Sequence, residues 1–156
     1  KWTEIKKKKL YVNLHMIGKL QTNKVKLAVK IFDYIHSVDS EKLAKKISDE
    51  QSKIGKKIKI FLQVNIGDEN QKSGINKTEV GQLVSYCREI GLDIIGLMCI
   101  PPLNLDPQGY FEETYKLNNS FGFVDLSMGM SSDYLIAAKH FATYVRIGSS
   151  IFGHRN

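Results

Sequence analysis

The chain has 156 residues, 42% hydrophobic and 25% charged, the composition of one soluble globular domain. No window approaches the roughly 18 apolar residues of a membrane span, and no signal-peptide pattern opens the chain. The net charge of +7 raises nucleic acid as a partner. The lysines, however, gather in two runs, Lys1 with Lys6, Lys7, Lys8 and Lys9, and Lys53 with Lys56, Lys57 and Lys59. No aromatic residues interleave with them as base-stacking platforms, so they read as solvated surface.

A first strand is expected over 13–17 (NLHMI), then a short helix between Gln21 and Phe32 with Thr22 or Asn23 as its cap. Strand 34–38 (YIHSV) leads through the Asp39-Ser40 cap into a helix carrying Leu43, Ala44 and Ile47. After strand 58–66, Asn76 and Glu79 stand at capping-box spacing. Val80, Leu83, Val84, Cys87 and Ile90 then form one apolar stripe, stopped by Gly91 in a left-handed conformation. Strand 94–100 (IIGLMCI) is followed by a helix opened by Asp106-Pro107, with proline where its missing amide costs nothing. Strand 123–128 (FVDLSM), a helix opened by Ser132-Asp133 and strand 143–148 (TYVRIG) complete the order. Cys87 and Cys99 lie in apolar settings and read as reduced core thiols of a cytosolic protein.

Six short apolar strands alternating with helices are the grammar of a parallel sheet covered by helices. No glycine-rich dinucleotide fingerprint follows the first strand, which weakens a doubly wound reading. Polar residues instead collect after the ends of several strands, at His36–Ser40, Asn65, Ser127–Ser132 and Gly148–Ser150. A (β/α) barrel builds its site in this way, although a closed one needs eight strands and about 250 residues.

Six segments carry a resemblance: "LHMIGKLQTNK" (14–24), "IHSVDSEKLAKKI" (35–47), "LQVNIGDENQKSGI" (62–75), "GLMCIPP" (96–102), "LSMGMSSDY" (126–134) and "VRIGSSIFG" (145–153). In this order they resemble the pyridoxal phosphate homeostasis proteins, pyridoxal 5′-phosphate (PLP) binding barrels related to the N-terminal domain of alanine racemase. The resemblance covers essentially all of residues 1–156 and implies one (β/α)8 TIM-type barrel domain lacking its first two strand–helix units. In the family, a Val-Ser-Lys-like triplet on the first of those strands supplies the lysine that forms the Schiff base; this sequence has no such triplet. The implied function is PLP binding in intracellular cofactor homeostasis, without strong catalysis, by a cytoplasmic monomer with PLP-dependent apo-enzymes as expected partners. A racemase-like enzyme fragment and a basic nucleic-acid or scaffold binder are the alternatives.

Alternation along the last strand puts Tyr144, Arg146 and Gly148 on one face. By similarity to the alanine racemase family, Arg146 faces the pyridine nitrogen of PLP, and Gly148 lets the backbone approach the phosphate while the amides at 148–150 and the Ser149 hydroxyl donate to it. Ser131 and the Met130 amide are the second phosphate contact, and His15 is a candidate to line the cofactor. Phosphate or sulfate is expected to substitute at this turn. The bland reading of Arg146 is a pairing with an interior carboxylate. Ser127, Ser150 and His36 read as ordinary capping or strand residues, Asn65 as bonding backbone or ligand, and Met98 as packing. No spaced set of Cys and His supports a metal site. Lys19, Lys24 and Lys72 follow strand ends and are the residues that could stand in for the missing lysine, with exposed surface lysine as the ordinary reading of each.

Overall fold

The computed structural model describes residues 3–4, 12–69 and 73–153. Its sheet has six parallel strands in chain order: β1 (His15–Met16), β2 (Tyr34–Val38), β3 (Lys59–Val64), β4 (Asp93–Cys99), β5 (Asp125–Met130) and β6 (Tyr144–Arg146). Each pairs with the next. Helices α1 (Val25–Ile31), α2 (Glu41–Lys53), α3 (Val80–Glu89), α4 (Gln108–Ser120) and α5 (Tyr134–Lys139) make the crossovers, and the short α6 (Ser149–Phe152) follows β6. The sheet curls until the rings of His15 on β1 and Tyr144 on β6 stand 5.7 Å apart between centroids. It is a six-strand arc of a (β/α) barrel.

The outer face of the arc holds the core. Ile35, Ile60, Leu62, Leu97 and Leu126 from the strands meet Leu43, Ile47, Val80, Leu83, Val84 and Phe111 from the helices, all buried. Each such side chain contributes roughly 1.5–3 kcal/mol on leaving water. Cys87 and Cys99 are both buried in this packing and unbridged.

Local chemistry sets several boundaries as expected. Ser40 Oγ accepts from the Leu43 amide at 3.4 Å, Gly91 stops α3 at φ +71°, and Asp106 Oδ1 takes the Gln108 amide while the Pro107 carbonyl accepts from Phe111. Others differ. Asn76 makes no side-chain cap, because a 3-10 turn over Lys77–Glu79 intervenes before α3. Thr22 and Asn23 likewise lie inside a 3-10 turn whose cap position is Gln21. The first strand shrinks to two residues. The fifth starts two residues late because Asn118 holds Phe123 in the stop of α4, its Nδ2 donating to the Phe123 carbonyl at 3.0 Å. The last strand ends at Arg146, since the Gly148 carbonyl already accepts from Ile151 and Phe152 of α6.

Gly96 fixes how closely β4 and β5 approach. A Cβ there would sit 1.8 Å from the Asp125 carbonyl oxygen and 3.1 Å from the Phe61 ring. Gly96→Ala should therefore lower stability by roughly 1–3 kcal/mol. Gly109→Ala, where a Cβ meets nothing within 4 Å on helix α4, should be neutral or stabilising by about 0.4–1 kcal/mol. Urea unfolding of the two variants beside wild type checks both signs.

Candidate ligand-binding site

At the rim formed by the carboxyl ends of the strands lies an open cavity of about 1070 Å³. His15, His36, Tyr144, Arg146, Ser131 and Ser149 line it, with Ile17, Ile100, Met130 and Phe152 as apolar wall. Strand alternation supplies the cation: on β6, Tyr144 and Arg146 turn inward and half-buried while Val145 faces out.

Arg146 does not pair with a carboxylate among the described residues. Its Nη1 donates to Ser127 Oγ at 2.8 Å and its Nη2 to the Cys99 carbonyl at 2.9 Å. Burial pulls the guanidinium below its ordinary pKa, opposed by Cys99 and Asp133; an arginine so perturbed remains charged at neutral pH. Ser127 in turn lies 2.8 Å from His36 Nδ1, and His36 Nε2 lies 2.9 Å from His15 Nδ1. His36 stacks on Phe61, and His15 stacks on Tyr34 at 4.1 Å. Burial, then His15, then Arg146 push the His36 pKa down to about 3, so its ring is neutral at physiological pH. Burial also lowers the His15 pKa, partly offset by Asp33.

The second feature is the serine turn. Ser131 Oγ accepts from the Gly148 amide at 3.0 Å and the Ser150 amide at 3.4 Å, and Ser150 Oγ donates to the Ser131 carbonyl. Ser131 is thus brought against the 148–150 turn, as the phosphate reading requires. With both lone pairs engaged, its hydroxyl hydrogen is left to donate outward. Ser149 is exposed on the cavity wall. A Cβ at Gly148 would meet no atom within 4 Å, so nothing of the protein crowds that approach.

The structure corrects the expected backbone donors: the Gly148 and Ser150 amides are already taken by Ser131 Oγ. The Met130 amide is held by Asp133 Oδ1 at 2.6 Å and is not presented to a ligand in this arrangement. Asn65 lies away from the cavity, closing a turn with the Glu69 backbone, and Met98 is fully buried packing. Lys19 and Lys24 are exposed and do not line the cavity; Lys72, like Lys1 and Lys6 to Lys9, lies outside the described residues. Of the second lysine run, Lys53 pairs with Glu50 and Lys56 with Asp33. The described residues hold no group of three or more His, Cys, Asp or Glu fit for a metal, and no helix long and apolar enough to cross a membrane.

Sequence reasoning passed over Ser127 and His36, the centre of the polar network. The usable signal was strand parity, since His36 shares a face of β2 with Tyr34, and Ser127 on β5 pairs in register with Tyr144.

The model of the alanine racemase N-terminal domain matches residues 4–156. The pyridoxal phosphate homeostasis proteins of Vibrio alginolyticus and Aquifex aeolicus (strain VF5) are each 35% identical, over 93% and 95% of this chain and 66% and 69% of theirs. The chain thus spans about two thirds of their length. PipY of Synechococcus elongatus PCC7942, a COG0325 family member, superposes with TM-scores of 0.87 without PLP and 0.83 with PLP bound. Its identity is 32%, and 75% of its chain is covered. An alanine racemase of Clostridium difficile 630, 13% identical with a TM-score of 0.76, shares the fold.

The His36 environment has a pH consequence. Its folded pKa of about 3 lies below the ordinary 6.5, so between those values the unfolded chain takes up a proton that the folded one refuses. Stability is full above about pH 6.5 and falls on acidification, by at most about 1.4 kcal/mol per pH unit from this group. Urea midpoints between pH 7 and pH 4 should drop more steeply for wild type than for His36→Gln.

Proposed function

We propose that this chain, which belongs to the pyridoxal phosphate homeostasis protein family, forms the ring- and phosphate-holding part of a PLP site that stores and supplies the cofactor. The observation that carries this is Arg146, a half-buried cation on the cavity wall whose tethers to Ser127 and the Cys99 carbonyl leave further N–H donors for a ligand. The PLP-bound form of PipY lends the reading its ligand.

The residues present suit the group. PLP, when bound, supplies an aldehyde for reversible capture of amines and an electron-withdrawing ring. Arg146 would meet its pyridine nitrogen, and the Ser131 and Ser149 hydroxyls its phosphate. A guanidinium has no acceptor and keeps its protons, so it disfavours protonation of the ring nitrogen. That weakens the ring as an electron sink, which favours holding the cofactor over amino-acid chemistry. Ile17, Ile100, Met130 and Phe152 would supply the apolar part of the wall around the group. In this reading the whole protein is a cytoplasmic monomer that is not itself a strong catalyst and passes PLP to apo-enzymes.

Equilibrium dialysis of the full chain with PLP, followed by competition with inorganic phosphate or sulfate, tests the site. Both anions should compete, and Ser131→Ala should weaken PLP binding about ten-fold, the scale of one hydrogen bond to a charged group. Binding unaffected by phosphate and unchanged in Ser131→Ala would reject the serine turn as the phosphate site.

A further inference from the structure

The hydrogen-bonded chain from Arg146 to His15 has a direction, and the direction follows from donor and acceptor inventory. Arg146 only donates, so Ser127 Oγ accepts from it. Ser127 is fully buried, and its single hydroxyl hydrogen needs an acceptor. Among the described residues the group within reach is His36 Nδ1, at 2.8 Å. His36 Nδ1 is therefore the bare nitrogen. A neutral His36 must then carry its proton on Nε2 and give it to His15 Nδ1, 2.9 Å away.

His15 Nδ1 is occupied as an acceptor, so a neutral His15 carries its own proton on Nε2. The reverse polarity would have His36 Nδ1–H donate to Ser127, stranding the serine hydrogen in a site closed to water, which buried polar groups avoid. Protonating His36 would meet the same obstacle and bring a second charge beside Arg146. The strong downward pull on the His36 pKa keeps its ring neutral, as a single-proton relay requires. His15 lines the cavity, its ring is fixed by stacking on Tyr34, and its Nε2 has no protein partner among the described residues.

We propose that the chain Arg146 to Ser127 to His36 to His15 locks His15 as its Nε2–H tautomer, making His15 a specificity residue that donates to an acceptor oxygen of the bound cofactor and disfavours a donor there. His36 and Ser127 are then positioning residues acting through it. The ligand half of this rests on the reading of the cavity as a PLP site; the tautomer half does not.

Long-range proton–nitrogen spectra of the full chain, with nitrogen-15 in its histidines, read which ring nitrogen carries the proton. At neutral pH both His15 and His36 should be Nε2–H, and Ser127→Ala should release His36 into a mixture of tautomers. An Nδ1–H form dominating at either ring in wild type overturns the relay. For the ligand half, His15→Gln, which keeps an N–H donor, should hold PLP within about three-fold of wild type, while His15→Leu should weaken it about ten-fold. Equal affinity of the Leu and Gln variants overturns the donor role. A wild-type protein with the expected tautomers that binds no PLP would instead contradict the proposed function and leave the relay standing.

Discussion

A guanidinium taken out of water is the constraint on which this end of the molecule depends. Removing such a cation from solvent costs several kcal/mol unless its donors are met, and Arg146, half-buried, meets part of that need by reaching across the sheet. Its partners are a hydroxyl on β5 and a carbonyl at the end of β4. The Cys99 carbonyl is available because the β4–β5 ladder runs only as far as Met98 and Ser127. The pairing of β5 with β6 is itself irregular between Ser127 and Met130, where Gly129 takes φ +91° against Ala137 and Tyr134. That break lets the arginine lie over its neighbour strand.

The groups around the cation are arranged to stay neutral. His36 and His15 are both pushed toward the uncharged imidazole, and burial holds the Cys99 thiol up at about 11. Among the described residues, the cavity therefore presents one fixed positive charge, Arg146, beside neutral donors. Low-dielectric surroundings strengthen such a charge toward an anion or a ring lone pair. The hydroxyl-rich turn at Ser131 and Ser149 extends the same preference to a second part of the ligand.

The architecture was legible in the sequence because strand and helix periodicity survive without knowledge of contacts. β2 was read to its residue limits, and Ser40 and Gly91 act as their types suggest. Failures came where tertiary contact overrides local preference. Asn76 has the right spacing for a capping box, yet the 3-10 turn at Lys77–Glu79 makes the cap unnecessary. The start of β5 depends on Asn118, five residues upstream of Phe123, which it holds out of the strand. Arg146, Ser131 and Ser149 were picked out by strand parity and by resemblance. Ser127 and His36 were not: strand parity marks their faces, but their meeting spans 91 positions of sequence, and parity alone does not show that two residues touch.

In the proposed function, Arg146 faces the ring nitrogen of PLP. PLP carrying nitrogen-15 in its pyridine ring, bound to the full chain, would report that contact through the shift of the labelled nitrogen. An unprotonated nitrogen accepting a hydrogen bond at neutral pH, with the signal perturbed in Arg146→Gln, is the predicted result. A protonated pyridinium in wild type, unchanged in the variant, would contradict it.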